Sequence, residues 1–559
     1  MSDQPSYAQN GESALITATI TRKEWRWVWI YAALVMLITT IPYLAGYASQ
    51  TEAWRFTGFV FGVEDGNSYI AKMLSGAAGN WLFRTPYTAE PQRGVLAFLP
   101  YILLGKLASP PALHEQLVAL FHLFRILAGI LEILATYQFL AFFIQRTGLR
   151  RAGLVLATLG GGLGWLLLLL GKDSLFGSLP LDFYSPETFG FLALYGLPHL
   201  ALARACLLWG LLVYLNSMQR SARPTLADIW KLNLYWSIVA LAQPLTGVIL
   251  GFVLGVHWAT LAIRLAWQKS KAGLSERCRL LRSTGLIAGG GILPVPFLIY
   301  NALAFNLDPF LKRWTGQNII TSPHPVHYLL AYGLAIPFAI IGARKLLRER
   351  PWDSWLLVAW ALAIPFLAYA PFNLQRRLPE GVWVALVVVM VKSFEGEGDR
   401  LTRRLAWRIS LLTAFSLPST LFLLIGGIFT AIRPAMPVFR PVDEVTVFEE
   451  LGASAHPGDI VLSSYDTGNA LPAWAPVRVV IGHGPESVGL AELLPRVQRF
   501  YSVEANDDEQ QRLIRELNVR YVFYGPSEAK LGGWQAGKAP YLQLAYQSGE
   551  YQVYQVYGK

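Results

Sequence analysis

Long apolar runs recur along most of the first 432 residues of this chain. A helix needs roughly 17–25 mainly apolar residues to cross a bilayer, and the first run, at about 26–47, meets this length. It lacks a small-residue cleavage site, so the pattern predicts a retained anchor and not a signal peptide. Further spans are predicted at about 151–171, 196–216, 229–243, 245–267, 283–305, 327–346, 353–371, 379–393 and 408–432.

Lysine and arginine cluster in short segments between these spans, namely the N-terminus, 145–151, 219–231, 268–282, 344–350 and 392–408. Loops rich in these residues remain in the cytoplasm. The alternation therefore predicts a cytoplasmic tail at 1–25 and an extracytoplasmic segment beyond the last span. It also explains the net charge of +11 by membrane topology, without nucleic-acid binding.

The stretch 94–146 decides the number of spans, because the charge alternation requires it to cross an odd number of times. It fits one long crossing at 116–145 preceded by a re-entrant piece, or three short crossings. The predicted fold class is an α-helical polytopic membrane protein with 11 or 13 spans over residues 26–432. Charged residues make up 15% of the chain, well below the roughly 25% of soluble proteins.

Residues 437–559 follow a different pattern, in which short strands alternate with helices. Helices are predicted at 446–455 and 508–517, and strands at 459–464, 478–482, 520–525, 541–547 and 550–557. This alternation favours a small extracytoplasmic α/β domain. Its Gly-His-Gly segment at 482–484 is too short for a phosphate loop and is interpreted as a turn, so we place the chemistry in the membrane part.

The acidic pair Glu64-Asp65 lies in the first predicted outer loop, 48–93. Adjacent carboxylates repel each other, so a neutral structural role suits them poorly. They suit general-base catalysis or cation binding, where one carboxylate stays ionised near a reacting hydroxyl. The structural alternative is a solvated helix N-terminus, which acidic residues cap.

Other candidate residues lie in the remaining outer loops. Arg376 and Arg377 occupy a short outer turn, where adjacent positive charges are costly. Arginine suits phosphate recognition, although snorkelling to lipid headgroups would also place them there. His199, at the outer end of a span, could orient a phosphate or act as an acid, or fill a structural role. The predicted substrate-binding set also includes Tyr69, Lys72 and Glu187.

These features resemble the GT-C superfamily of glycosyltransferases, which are many-spanning membrane enzymes that use polyprenyl-phosphate-linked sugars. In many bacterial members an aspartate in the first outer loop is followed four positions later by tyrosine and then by small residues. Asp65, Tyr69, Ile70 and Ala71 stand in this order here. Many members place a second acid directly after the first, whereas here Gly66 follows Asp65 and the second acid, Glu64, precedes it.

The resemblance implies that Asp65 is the catalytic base and Glu64 a supporting acid, while Arg376 or Arg377 holds the donor's phosphate. The altered order of the acids leaves open which carboxylate is the base. It also leaves open whether Glu64 and Asp65 hold a divalent cation, Mg²⁺ or Mn²⁺.

The implied reaction moves a sugar to a hydroxyl or amide of a lipid, glycan or protein at the extracytoplasmic face of the cell membrane. The main rival function is a transporter or flippase of lipid-linked saccharides. Against it, the sequence shows no internal repeat and no charged residue expected at mid-membrane in its second half. A non-catalytic membrane scaffold is a further alternative.

The charge alternation predicts the side of the membrane on which the chain ends. A reporter fused after Lys559 should be active only when it is exported, because the predicted spans leave the C-terminal segment outside. Reporter activity in the cytoplasm would contradict both the span count and the position of the acidic loop.

Overall fold

The computed structural model describes residues 19–220, 224–267, 273–396 and 403–557. Up to residue 431 the chain is almost entirely helical. Its helices, α1 to α20, are Arg22–Ala48, Val63–Ala77, Leu99–Gly105, Leu113–Phe143, Thr147–Leu159, Gly164–Leu169, Phe191–Gly196, Pro198–Gln219, Leu226–Ala242, Pro244–Trp267, Gly273–Gly290, Pro294–Leu307, Pro309–Gln317, Val326–Tyr332, Ile336–Glu349, Ser354–Leu362, Ile364–Ala368, Val382–Lys392, Arg403–Ser416 and Pro418–Ala431.

Five stretches of helix among the described residues are long and apolar enough to cross a membrane: Arg22–Ala48, Leu113–Phe143, Pro198–Gln219, Pro244–Trp267 and Ala406–Ala431. The number rises to seven if the bent pairs α11–α12 and α14–α15 each count as one span. Other predicted spans fall on shorter helices, such as the 11-residue α18. The total of 11 or 13 therefore stays a prediction. The unbroken α4, preceded by the seven-residue α3, favours one crossing between 94 and 146.

A buried cluster of three charges joins the helical elements. Arg204 of α8 donates from Nε to Glu380 (2.7 Å) and from Nη1 to Glu132 of α4 (2.9 Å). Its Nη2 donates to the carbonyl oxygen of Pro186 at 3.0 Å. The three charged side chains are each 2–3% exposed. Glu380 is thus a buried charge in the second half of the chain, at the start of the predicted span 379–393. The expectation that this half holds no charged residue at mid-membrane stays a prediction.

Helices α2 and α3 pack at backbone contact. A Cβ on Gly76 would lie 2.1 Å from the carbonyl oxygen of Ile102, and one on Gly105 would lie 1.8 Å from that of Met73. Glycine at these positions lets the two backbones approach. The close approach also stacks the ring of Tyr69 on that of Tyr101, with centroids 4.6 Å apart.

From residue 439 to 557 the chain combines α-helices with a five-stranded sheet, and we call this segment the C-terminal domain. Its predicted extracytoplasmic position stays a prediction. Its helices α21 to α25 are Val442–Ser454, Tyr465–Ala470, Leu490–Phe500, Asp507–Glu516 and Pro526–Gly532. Strands β3 to β7 are Ile460–Leu462, Arg478–Val479, Tyr521–Tyr524, Leu542–Ser548 and Tyr551–Val556, and they form one sheet in the order β4-β3-β5-β7-β6. Strand β3 pairs parallel with β4 and β5, whereas β7 pairs antiparallel with β5 and β6.

The first outer loop is joined to the entrance of this domain by a two-stranded sheet. Strand β1, Trp54–Phe56, pairs antiparallel with β2, Phe439–Pro441. Two predicted helices of the domain, 446–455 and 508–517, correspond to α21 and α24. Helices α22, α23 and α25 were not predicted.

The α2–α3 contact predicts the effect of one added methyl group. Gly105→Ala should destabilise the protein by about 1–3 kcal/mol, the usual cost of overpacking, because the new Cβ meets backbone that cannot rotate away. Thermal unfolding in detergent measures this loss. Gly148→Ala is the matched control, because no atom lies within 4 Å of its added Cβ. Equal stability of the two variants would contradict the tight crossing.

Candidate active site

The acidic pair lies in the first turn of α2. The helix begins after Gly62, whose φ of 57° is left-handed, and neither acidic side chain forms a cap hydrogen bond. Both residues are thus close to the positive end of the helix dipole, where negative charge is stabilising. The structure agrees with the alternative of an exposed helix N-terminus in its position, although neither side chain forms a capping hydrogen bond.

Asp65 is exposed, and we call the region between its side chain, Tyr69, His199 and Arg377 the recess. The Asp65 side chain is 59% exposed, and its Oδ1 lies 3.3 Å from Nε2 of His483. Desolvation by the surrounding protein would by itself raise the pKa of Asp65. The hydrogen bond and charge of His483, together with the charges of Arg377 and Lys72, outweigh this effect and lower the pKa below its ordinary value. Asp65 is therefore an ionised carboxylate that a substrate can reach.

Glu64 points to the C-terminal domain. Its Oε1 accepts hydrogen bonds from the hydroxyl of Tyr465 and, at 2.9 Å, from the backbone N–H of Gly484. These contacts engage the carboxylate in a joint between two parts of the chain. The structure therefore separates the roles of the two adjacent acids.

Tyr69 and His199 form one aromatic wall of the recess. The His199 ring meets the Tyr69 ring edge-on at 5.5 Å, and its Nδ1 lies 2.7 Å from the hydroxyl of Tyr101. Tyr69 is four residues beyond Asp65, so both side chains lie on neighbouring parts of one helix face. The structure thus brings together three predicted site residues: Asp65, Tyr69 and His199.

Arg377 reaches the same recess from the turn before α18. Its Nε lies 3.5 Å from Oε1 of the buried Glu187, and its side chain is 36% exposed. The Nε atoms of Arg377 and Arg376 are both buried and make no hydrogen bond within the described residues. The exposed part of the Arg377 guanidinium keeps donors for an anion. Arg376 also lies over the ring of Tyr184 at 4.6 Å.

Lys72 is not available to a substrate, contrary to the prediction. It is 2% exposed, and its Nζ lies 2.5 Å from Oε1 of Glu486. It also contacts the hydroxyl of Ser68. A buried ammonium needs such partners, because an unpaired charge is costly to desolvate. Lys72 therefore joins α2 to the C-terminal domain.

Solved structures were compared with this chain. The Archaeoglobus fulgidus oligosaccharyltransferase AglB, in complex with an inhibitory peptide and a dolichol-phosphate, matches with a TM-score of 0.52 and 13% identity. The match covers 96% of this chain and 75% of AglB. The arabinofuranosyltransferase AftD from Mycobacteria matches with a TM-score of 0.57 and 12% identity, over 97% of this chain and 40% of AftD. The chain has the fold of the GT-C glycosyltransferases. No protein-family model and no curated protein matches the sequence.

Two residues of this candidate site were missed in the sequence. His483, in the segment 482–484 that was interpreted as a turn, and Glu486, two residues beyond that segment, follow strand β4 and contact Asp65 and Lys72. The expectation that all chemistry lies in the membrane part is therefore too narrow. A usable signal existed, because ligand-contacting loops of α/β sheets follow the carboxyl ends of parallel strands.

The arrangement of Glu64 and Asp65 does not fit a cation that bridges the two carboxylates. Glu64 is directed to Tyr465 and Gly484, while the near neighbour of Asp65 is an imidazole whose pKa is raised. Burial opposes the charge on His483, but its hydrogen bond to Asp65 and the charge of Glu486 favour it. Over the described ranges, no three His, Cys, Asp or Glu side chains are grouped to hold a metal ion.

Proposed function

We propose that the protein is a membrane glycosyltransferase that moves a sugar from a polyprenyl-phosphate donor to an acceptor at the extracytoplasmic face. The single observation that supports this most is the pairing of opposite charges across one recess. An exposed, ionised carboxylate at Asp65 lies within electrostatic reach of the partly exposed guanidinium of Arg377. A base and an anion-binding group are the two parts that such a transfer requires.

The reaction proceeds in one displacement. The oxygen of the acceptor hydroxyl, or the nitrogen of the acceptor amide, forms a bond to the anomeric carbon. At the same time Asp65 takes the proton from that acceptor atom. The bond between that carbon and the phosphate oxygen breaks, and its electron pair leaves with the lipid phosphate. The guanidinium of Arg377 stabilises the charge that develops there. Attack from the face opposite the leaving group inverts the anomeric configuration.

The lipid-phosphate donor draws support from the GT-C fold. AglB, whose structure holds a dolichol-phosphate and an inhibitory peptide, shares the fold. Many large apolar side chains on the helices are exposed, among them Leu37, Leu127, Ile263 and Phe429, so the chain offers a lipid-facing surface next to the recess. The membrane lipid then presents the donor's phosphate at the level of Arg377.

The assignment of the base predicts a contrast between the two acids. Asp65→Asn should abolish transfer with little change in thermal stability, because the side chain is exposed and the amide cannot accept the proton. Glu64→Gln should cost less, because its oxygen can still accept from Tyr465 and Gly484. Sugar transfer from a synthetic polyprenyl-phosphate donor measures both. Substantial residual activity in the Asp65 variant would refute the proposed base.

The phosphate role predicts a difference between the adjacent arginines. Arg377→Ala should weaken donor binding about ten- to a hundred-fold, the loss of roughly 1.5–3 kcal/mol for a hydrogen bond to a charged group. Arg377→Lys should restore the charge but not the planar two-donor geometry. Arg376→Ala is the matched control and should bind donor nearly normally. Donor-lipid titration decides, and a larger loss at Arg376 would reverse the assignment.

A further inference from the structure

The proposed catalytic helix α2 packs on α3 and also makes polar contacts with the C-terminal domain. Besides Asp65, which contacts His483, four side chains of α2 make such contacts: Glu64, Asn67, Ser68 and Lys72. Their spacing of three, four and eight residues from Glu64 places them on one face of the helix. Asp65 and Tyr69 lie on the adjoining face, which lines the recess. A rotation of α2 would therefore move Asp65 and break these contacts together.

Glu486 is the centre of this contact surface. It is 4% exposed, and its Oε1 accepts from Lys72 at 2.5 Å and from Ser68 at 2.7 Å. Its Oε2 accepts from Thr85, later in the first outer loop, at 2.7 Å. Both carboxylate oxygens are thus used by donors from the first outer loop, so Glu486 fixes the helix and the following segment in one arrangement.

A second anchor lies one turn earlier, beside the proposed base. Tyr465 and Gly484 hold the Glu64 carboxylate, and Asn67 donates to the side chain of Asn469 at 2.8 Å. Asp65 is the next residue after Glu64. The contacts made by Glu64 therefore also set the position of the Asp65 carboxylate.

The edge of the sheet that makes these contacts is closed to a ligand between β3 and β5. In open α/β sheets ligands commonly bind outside the carboxyl ends of parallel strands. Here the buried hydroxyl of Tyr501 lies within hydrogen-bond distance of the carbonyl oxygens of Leu462 (3.0 Å), the last residue of β3, and Phe523 (2.8 Å), the last but one of β5. The loops after β3 and β4 contact α2 instead.

We propose that the C-terminal domain is a positioning element of the active site, with Glu486 and Tyr465 as its positioning residues. This inference rests on the proposed function of Asp65. Neither residue touches the reacting atoms; both act through α2, by holding Asp65 where it meets the acceptor. Misplacement of a catalytic group by about 1 Å is enough to lower a rate about a hundred-fold.

The experiment compares two single-hydroxyl deletions in the full-length protein. Tyr465→Phe removes only the hydrogen bond to Glu64. Tyr546→Phe is the matched control, because its hydroxyl contacts Ser454 within the domain and not α2. Tyr465→Phe should lower kcat about ten-fold or more with donor KM nearly unchanged, while both variants unfold at nearly the same temperature. Glu486→Gln should lower kcat further, and Glu486→Asp should recover part of it.

Hydrogen–deuterium exchange of the segment 63–77 supplies a readout that needs no activity. Exchange should increase in Tyr465→Phe and Glu486→Gln but not in Tyr546→Phe. Unchanged exchange and unchanged kcat in both test variants would overturn the inference, as would a loss of kcat matched by equal losses in donor binding and stability. Failure of the proposed function looks different, because Asp65→Asn would then stay active whatever the exchange of α2 shows.

Discussion

Arg204 is almost completely buried, and its guanidinium ties together segments that are far apart in the sequence. A buried charge is tolerable only with well-placed partners. Here the partners are Glu132, Glu380 and the carbonyl oxygen of Pro186. Pro186 directly precedes Glu187, and Glu380 follows Arg377 by three residues. The need to neutralise one arginine therefore fixes both residues of the ion pair that faces the recess.

The side of the site that carries Asp65 also depends on a buried charge that is neutralised by a buried partner. Lys72 and Glu486 are both buried, and each supplies the counter-charge of the other. Breaking a buried pair by removing one partner typically costs about 3–5 kcal/mol, because the other charge stays desolvated. The pair thus strongly favours one docking position of the C-terminal domain against α2. The Arg204 cluster thus stabilises the side of the site that carries Arg377. The Lys72–Glu486 pair stabilises the side that carries Asp65.

Much of this arrangement was predictable because local pattern determined it. Apolar runs predict the long helices α1, α4, α8 and α10, and strand alternation predicts the α/β domain. Spacing along one helix placed Asp65 and Tyr69 together. The glycine-rich segment 160–164 packs closely on another helix, since a Cβ on Gly162 would meet the backbone of Ala331 at 2.5 Å.

The remainder depended on contacts between distant parts of the chain. Lys72 was predicted to bind substrate, because the sequence does not reveal its partner. That partner, Glu486, lies more than 400 residues away along the chain. His483 looked like part of a turn, because only the folded domain brings it to Asp65. The buried partners of Arg204 could not be predicted for the same reason. A charged residue within an apolar run indicates a desolvation cost, but the sequence does not show which residue neutralises that charge.

The distribution of charge across the recess also explains why the acids at 64 and 65 differ. Two free carboxylates side by side would each oppose ionisation of the other and repel an anion. Both side chains are exposed here, but the domain binds Glu64 through a hydroxyl and a backbone N–H, whereas Asp65 contacts the imidazole of His483. Arg377, held by its long ion pair to Glu187, keeps donors for an incoming anion. A single ionised acid facing a partly engaged arginine is an arrangement in which a proton can leave on one side as negative charge develops on the other.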